Sequence, residues 1–192
     1  MKKVLLLGDS IRMGYDDYVK DELKECEVIY DKDDNGRFIT YTIWMFSDLY
    51  DKYGPFDVVH FNTGYWDMNR SDIDNIPQTP IEDYIYNLKR LINMIKSRGA
   101  IPIFATTTPI YDTPIQDGNY MPTNYKNEWV KEYNEAALKL MKQEGVMVND
   151  LYSLMYQENR FAKVYDSLHL TEDGYRKCAK QVANCIRKAI NE

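Results

Sequence analysis

Apolar residues fall along this chain in two alternating textures: short unbroken runs, and longer stretches in which only one face is apolar. The first run, Lys3–Leu7, is continuous and stops at Gly8, as a strand buried on both faces of a parallel sheet should. Glu27–Tyr30 and Phe56–Phe61 read the same way, the second entered through the breaker pair Gly54-Pro55. Ile101–Ala105 supplies a fourth strand and Val146–Val148 a short fifth. Between these runs the period lengthens. Ile81, Tyr84, Ile85, Leu88, Leu91, Ile92 and Ile95 recur at spacings of three and four, which predicts a helix over Ile81–Arg98 ended by Gly99. Helices are also predicted at Tyr15–Glu25, Thr40–Lys52, Asn124–Glu144 (closed by Gly145) and Thr171–Ile190. The last carries the stripe Tyr175, Cys178, Val182, Ile186 and Ala189, with Thr171 as its N-cap.

Strands that alternate with helices imply a parallel sheet covered on both faces. Right-handed crossovers then leave few topologies. The expectation is an α/β fold, a flavodoxin-like three-layer α/β/α arrangement with a five-stranded parallel sheet in the order 2-1-3-4-5. A length of 192 residues fits one domain spanning 1–192, with a core that needs neither disulfides nor metal. The longest irregular stretch, Pro109–Thr123, carries Tyr111 and Tyr120. It reads either as a functional loop or as a surface loop held by its own aromatics.

Composition narrows the partners. Lys and Arg number 24 against 30 Asp and Glu, a formal charge of −6, and no basic run is present. Neither a nucleic-acid partner nor an anionic membrane surface is expected. Cys26, Cys178 and Cys185 form no metal or disulfide spacing and read as small apolar residues. The N-terminal apolar run, Val4–Leu7, is interrupted by Asp9. It is too short for a signal segment or a membrane span, which predicts a cytoplasmic protein. Oligomeric state is left open.

In an open parallel sheet, ligands gather outside the carboxyl ends of the strands where strand order reverses, here between strands one and three. Polar residues cluster at those ends: Gly8-Asp9-Ser10 after strand one, Asn62 to Asp67 after strand three, and Asp166-Ser167-Leu168-His169 before the last helix. The loop Asp33 to Arg37 could reach the same edge. Of the two histidines, His60 lies inside a strand and reads as a core residue. His169 has Asp166 three residues before it, close enough for the carboxylate to fix the imidazole tautomer. Asp166 could equally brace the final helix, and Asp9 or Ser10 could simply cap a first one. Together, a serine after strand one and an Asp/His pair before the last helix suit nucleophile, base and orienting carboxylate. Two other readings stay open: a metal-dependent phosphoesterase with Asp9, Asp67, Asp166 and His169 as ligands, and a binding module without catalysis.

Gly8-Asp9-Ser10-Ile11 near the N-terminus and Asp166-Ser167-Leu168-His169 near the C-terminus resemble the first and last blocks of the SGNH hydrolases, the GDSL esterase/lipase family. The resemblance spans the whole chain. It implies a serine esterase acting on esters of short acyl groups, acetyl among them, with no cofactor. Tyr65, Trp66, Tyr111 and Tyr120 near the expected crevice favour a carbohydrate carrier over another small molecule, since aromatic faces suit sugar rings; ordinary packing in a chain with 17 tyrosines is the competing reading. The resemblance implies Ser10 as nucleophile, His169 as base and Asp166 as its partner; an acyltransferase would use the same triad. The implied oxyanion donors are the N–H groups of Ser10 and Gly36. The family's third donor is the asparagine of Gly-x-Asn-Asp, but this chain reads Gly64-Tyr65-Trp66-Asp67. Asn62 is the nearest amide, and Trp66 could form a substrate wall or offer its indole N–H. Arg12, Arg37, Tyr65 and Trp66 are the candidate substrate-binding residues. The two arginines could hold an anionic group on the substrate or could pair with Asp16, Asp33 or Asp34.

Overall fold

A computed structural model describes residues 1–111, 125–156 and 166–191. In these, β1 (Lys2–Leu7), β2 (Cys26–Ile29), β3 (Val58–Phe61), β4 (Ile101–Ala105) and β5 (Met147–Asn149) form one sheet in the order β2-β1-β3-β4-β5. Every pairing is parallel, with Val4 opposite both Val28 and Val58, Phe61 opposite Phe104, and Ala105 opposite Asn149. The expected order 2-1-3-4-5 is therefore the observed one. The unbroken apolar runs explain it: Val4 to Leu7 and the whole of β3 are buried, so these strands need cover on both faces.

The helices are α1 (Ser10–Glu22), α2 (Ile39–Tyr53), α3 (Tyr65–Met68), α4 (Ile81–Ser97), α5 (Asn127–Glu144), α6 (Leu151–Tyr156) and α7 (Glu172–Asn191). α1 packs on α7, while α2 packs on α4 and α4 on α5. Right-handed crossovers place these two groups on opposite faces of the sheet, giving the three layers. The stripe predicted for the last helix is buried: Tyr175, Cys178, Val182, Ile186 and Ala189 on α7; of the one predicted for Ile81–Arg98, Tyr84, Leu88, Leu91, Ile92 and Ile95 are buried on α4 while Ile81 and Ile85 are half-buried. Thr171 caps α7, its hydroxyl accepting the Gly174 N–H at 3.3 Å. Gly145, in the left-handed region with φ 62°, ends α5.

One helix start and two short helices differ most from expectation. α1 starts at Ser10 rather than Tyr15, because Asp9 caps it: Asp9 Oδ1 accepts the Ile11 N–H at 3.0 Å. α3 and α6 were not anticipated. Tyr120 and most of the Pro109–Thr123 stretch lie outside the described residues, as does Asn124, where the fifth-strand-side helix was expected to begin. Among the described residues, no helix is long and apolar enough to cross a membrane.

Candidate active site

The turn after β1 and the approach to α7 converge at the carboxyl end of the sheet. Ser10, the first residue of α1, presents Oγ 2.8 Å from His169 Nε2. On the other side of the ring, His169 Nδ1 lies 3.0 Å from Asp166 Oδ2. Asp166 Oδ1 accepts the N–H groups of Leu168 at 2.9 Å and of His169 at 2.7 Å. One carboxylate thus shapes the backbone turn with one oxygen and orients the imidazole with the other. Burial pushes this carboxyl up, but the hydrogen bonds from the His169 and Leu168 backbone and from the His169 ring outweigh burial and hold it below the ordinary 3.8. The turn is fastened from outside by Tyr111, whose N–H donates to the Ser167 carbonyl at 2.9 Å.

The expected oxyanion donors are placed unevenly. Ser10 N–H, at the first position of a helix, has no acceptor within that helix and belongs to the same residue as the Oγ that meets His169. Gly36 does pack against the turn after β1: a Cβ there would stand 2.6 Å from the Gly8 carbonyl oxygen. Its N–H, however, donates to that same Gly8 carbonyl at 2.8 Å. The Asn62 amide is engaged within the fold. Its Nδ2 donates to the Ala105 carbonyl at 2.8 Å and faces Thr107 Oγ1 at 3.4 Å. The amide braces the ends of β3 and β4, because a buried side-chain amide takes the nearest unpaired carbonyl.

Arg12 and Tyr65 turn into the protein interior. Arg12 is 1% exposed and its guanidinium is enclosed by Asp16 and by backbone carbonyls. Tyr65 is buried, its hydroxyl donating to the Thr108 carbonyl at 2.6 Å and its ring edge-on to Tyr125. Both pack inward because burial needs a partner for each polar tip, and carbonyls ending neighbouring segments supply it. Tyr111 is likewise buried, its hydroxyl on the Met155 carbonyl at 2.7 Å. Arg37 stays partly exposed but pairs with Asp34 at 3.2 Å and lies 4.3 Å over the Tyr41 ring. Trp66, on α3, remains 38% exposed.

Asp67 has a role that spacing alone did not reveal. Its Oδ1 accepts the Ile39 N–H at 3.0 Å and its Oδ2 the Thr63 hydroxyl at 2.5 Å. It ties the turn after β3 to the start of α2, just beyond Gly36. Burial pushes its carboxyl up to about 6. Asp9, also buried, has its carboxyl raised by burial and serves as the α1 cap. His60 is a core residue as expected: Asn149 Nδ2 lies 3.0 Å from its Nε2, and burial pushes the ring down to about 3. Among the described residues, no three or more His, Cys, Asp or Glu group as a metal site would require.

The sequence profile of the GDSL-like Lipase/Acylhydrolase family matches residues 6–177. A GDSL esterase/lipase of Oryza sativa subsp. japonica is 25% identical over 120 residues, covering 59% of this chain and 46% of that protein. The chain therefore spans about half the length of that relative. The isoamyl acetate-hydrolyzing esterase 1 homolog of Homo sapiens is 28% identical over an alignment of 211 residues, covering 98% of this chain and 83% of that protein. Among solved structures, a carbohydrate acetylesterase family member from Sinorhizobium meliloti superposes with a TM-score of 0.76 at 17% identity, covering 100% of both chains.

Proposed function

The chain belongs to the GDSL-like Lipase/Acylhydrolase family, and from that premise we propose that it is a serine esterase in which Ser10, His169 and Asp166 act as the triad. The observation that carries this reading is the continuous path from Ser10 Oγ to His169 Nε2 at 2.8 Å and from His169 Nδ1 to Asp166 at 3.0 Å. Ser10 Oγ attacks the ester carbonyl as its proton passes to His169 Nε2. The tetrahedral intermediate places its oxyanion near the Ser10 N–H. Collapse breaks the bond to the alcohol oxygen, which leaves with the proton from His169. Water then gives a proton to His169 and attacks the acyl-serine; the carboxylic acid departs and Ser10 regains its proton.

Short acyl esters, acetyl among them, are the proposed substrates, with carbohydrate esters as the first class to try. Support comes from the partly exposed Trp66 on α3, and from the likeness to a carbohydrate acetylesterase family member. The test uses a small aryl acetate and a fluorophosphonate probe. Wild-type protein should hydrolyse the first and be labelled by the second. Ser10→Ala should lose both while keeping its thermal midpoint. Unchanged hydrolysis by folded Ser10→Ala would overturn the reading.

A further inference from the structure

The geometry points to Arg12 as the positioning residue that fixes the loop between β2 and α2 against the nucleophile turn. This rests on the Ser10 reading above. Arg12 lies on α1, half a turn past Ser10, and its side chain is fully enclosed. Its Nη1 donates to Asp16 Oδ2 and to the Asp31 carbonyl, both at 2.6 Å. Nη2 donates to the Asp34 carbonyl at 2.6 Å, and Nε to the Gly8 carbonyl at 3.3 Å. A buried guanidinium needs a counter-charge and filled donors. Asp16, paired with it at 2.6 Å, is its carboxylate partner. The three carbonyls are a separate matter, since all belong to the two segments that meet beside Ser10.

Those segments are joined a second time. The Gly8 carbonyl accepts the Gly36 N–H at 2.8 Å as well as Arg12 Nε. The peptide leading into Asp9 and Ser10 is thus pinned directly by Arg12 and indirectly by the loop that Arg12 holds. The approach is possible because two glycines permit it. A Cβ on Gly8 would stand 2.7 Å from Arg12 Cβ, and one on Gly36 would stand 2.6 Å from the Gly8 oxygen. The far end of the loop is already fixed by Asp67 on the Ile39 N–H at 3.0 Å. Without Arg12 the near end would lose its partners at Asp31 and Asp34, and the Gly8 peptide one of its two donors. Ser10 would then lose its alignment to an acyl carbonyl, while Asp166 and His169, held by their own turn, would not. Lysine cannot replace the fork, because a single nitrogen cannot reach three divergent carbonyls.

The experiment compares Arg12→Ala and Arg12→Lys with wild type and Ser10→Ala. Kinetics on a small aryl acetate, fluorophosphonate labelling, thermal midpoint and amide hydrogen exchange across residues 31–38 are measured. For Arg12→Ala, kcat should fall about 10- to 100-fold, as for a small misplacement of a reacting group, with KM changing by less than about threefold. Labelling of Ser10 should slow in parallel. Exchange in 31–38 should rise by at least about tenfold while the central strands keep their protection. Guanidinium at low millimolar concentration should restore part of the Arg12→Ala rate, and Arg12→Lys should remain impaired. Activity that falls only in proportion to the unfolded fraction, with loop exchange unchanged, would overturn the inference, as would wild-type kcat in either variant. Should Arg12→Ala fail to fold, Arg12→Lys keeps a charge beside Asp16 and gives the same readouts. Should wild type prove inactive on esters, the serine reading fails on its own, and loop exchange in the variants still decides whether Arg12 holds the loop.

Discussion

At the scale of single residues, the two oxygens of Asp166 divide between the backbone turn and the His169 ring, as the proposed triad needs. Oδ1 is committed to two backbone N–H groups and Oδ2 faces the ring. In Asp166→Asn the amide oxygen keeps the backbone pair, so the NH2 group must face Nδ1. Nδ1 then becomes an acceptor, Nε2 carries the proton, and the ring can no longer take the one on Ser10. A fall in kcat of about 10³–10⁴-fold is expected with the melting temperature nearly unchanged, since the turn keeps its bonds. Steady-state kinetics beside a thermal melt checks both halves. These residues were legible because an aspartate three positions before a histidine, and a serine after the first strand, are local patterns. Arg12, Tyr65 and Asn62 were not. Each is polar and near the crevice in sequence, but each turns to a carbonyl on a distant segment, and no spacing within the chain encodes which carbonyl will be left unpaired.

At the scale of elements, the site is built where short segments are stitched to the ends of long ones. α3 is the sharpest case, a four-residue helix whose Asp67 fixes the N-terminus of α2. The carboxyl of Asp67 is raised by burial from 3.8 to about 6, so the folded chain holds this proton more tightly than the unfolded chain. Its contribution to stability is fully present below pH 3.8 and is lost as pH rises through about 6. Asp67→Asn keeps an oxygen for the Ile39 N–H and never ionises. Its stability relative to wild type should therefore improve between pH 4 and pH 7.5, by something of order 1–3 kcal/mol. Melting temperatures across that range test the sign, and a difference that stays flat or reverses would rule this account out. The strands and the long helices were readable because burial on two faces and a stripe at 3.6-residue period leave strong patterns. α3 and α6 were not, since four and six residues are too few for a period to register. The start of α1 was missed for a different reason: its first turn mixes Ser10, Arg12 and Gly14 with Ile11, and only the capping geometry of Asp9 shows that it is helix.

At the scale of the whole molecule, Ser10 and His169, the proposed nucleophile and base, are 159 positions apart in sequence, and the packing of α1 on α7 holds them in register. Gly14 lies tightly in that packing. A Cβ there would stand 2.2 Å from two atoms of the Tyr175 ring and 2.7 Å from a third. Tyr175 is buried, so its ring cannot swing into solvent. Alanine in a helix is favoured over glycine by about 0.8–1 kcal/mol. An overlap this deep against a buried ring costs typically about 1–3 kcal/mol, so Gly14→Ala should destabilise on balance. The more telling consequence is directional. Relief comes by moving α7 away from α1, and the turn carrying His169 leads directly into α7. The Ser10–His169 hydrogen bond should lengthen before the fold fails. Well below its melting temperature, Gly14→Ala should therefore lose kcat out of proportion to its loss of stability. A core substitution remote from this interface, such as Leu88→Ala on α4, should lose stability with kcat intact. Equal kcat losses in the two variants at matched stability would mean that the α1–α7 contact carries no special weight for the triad.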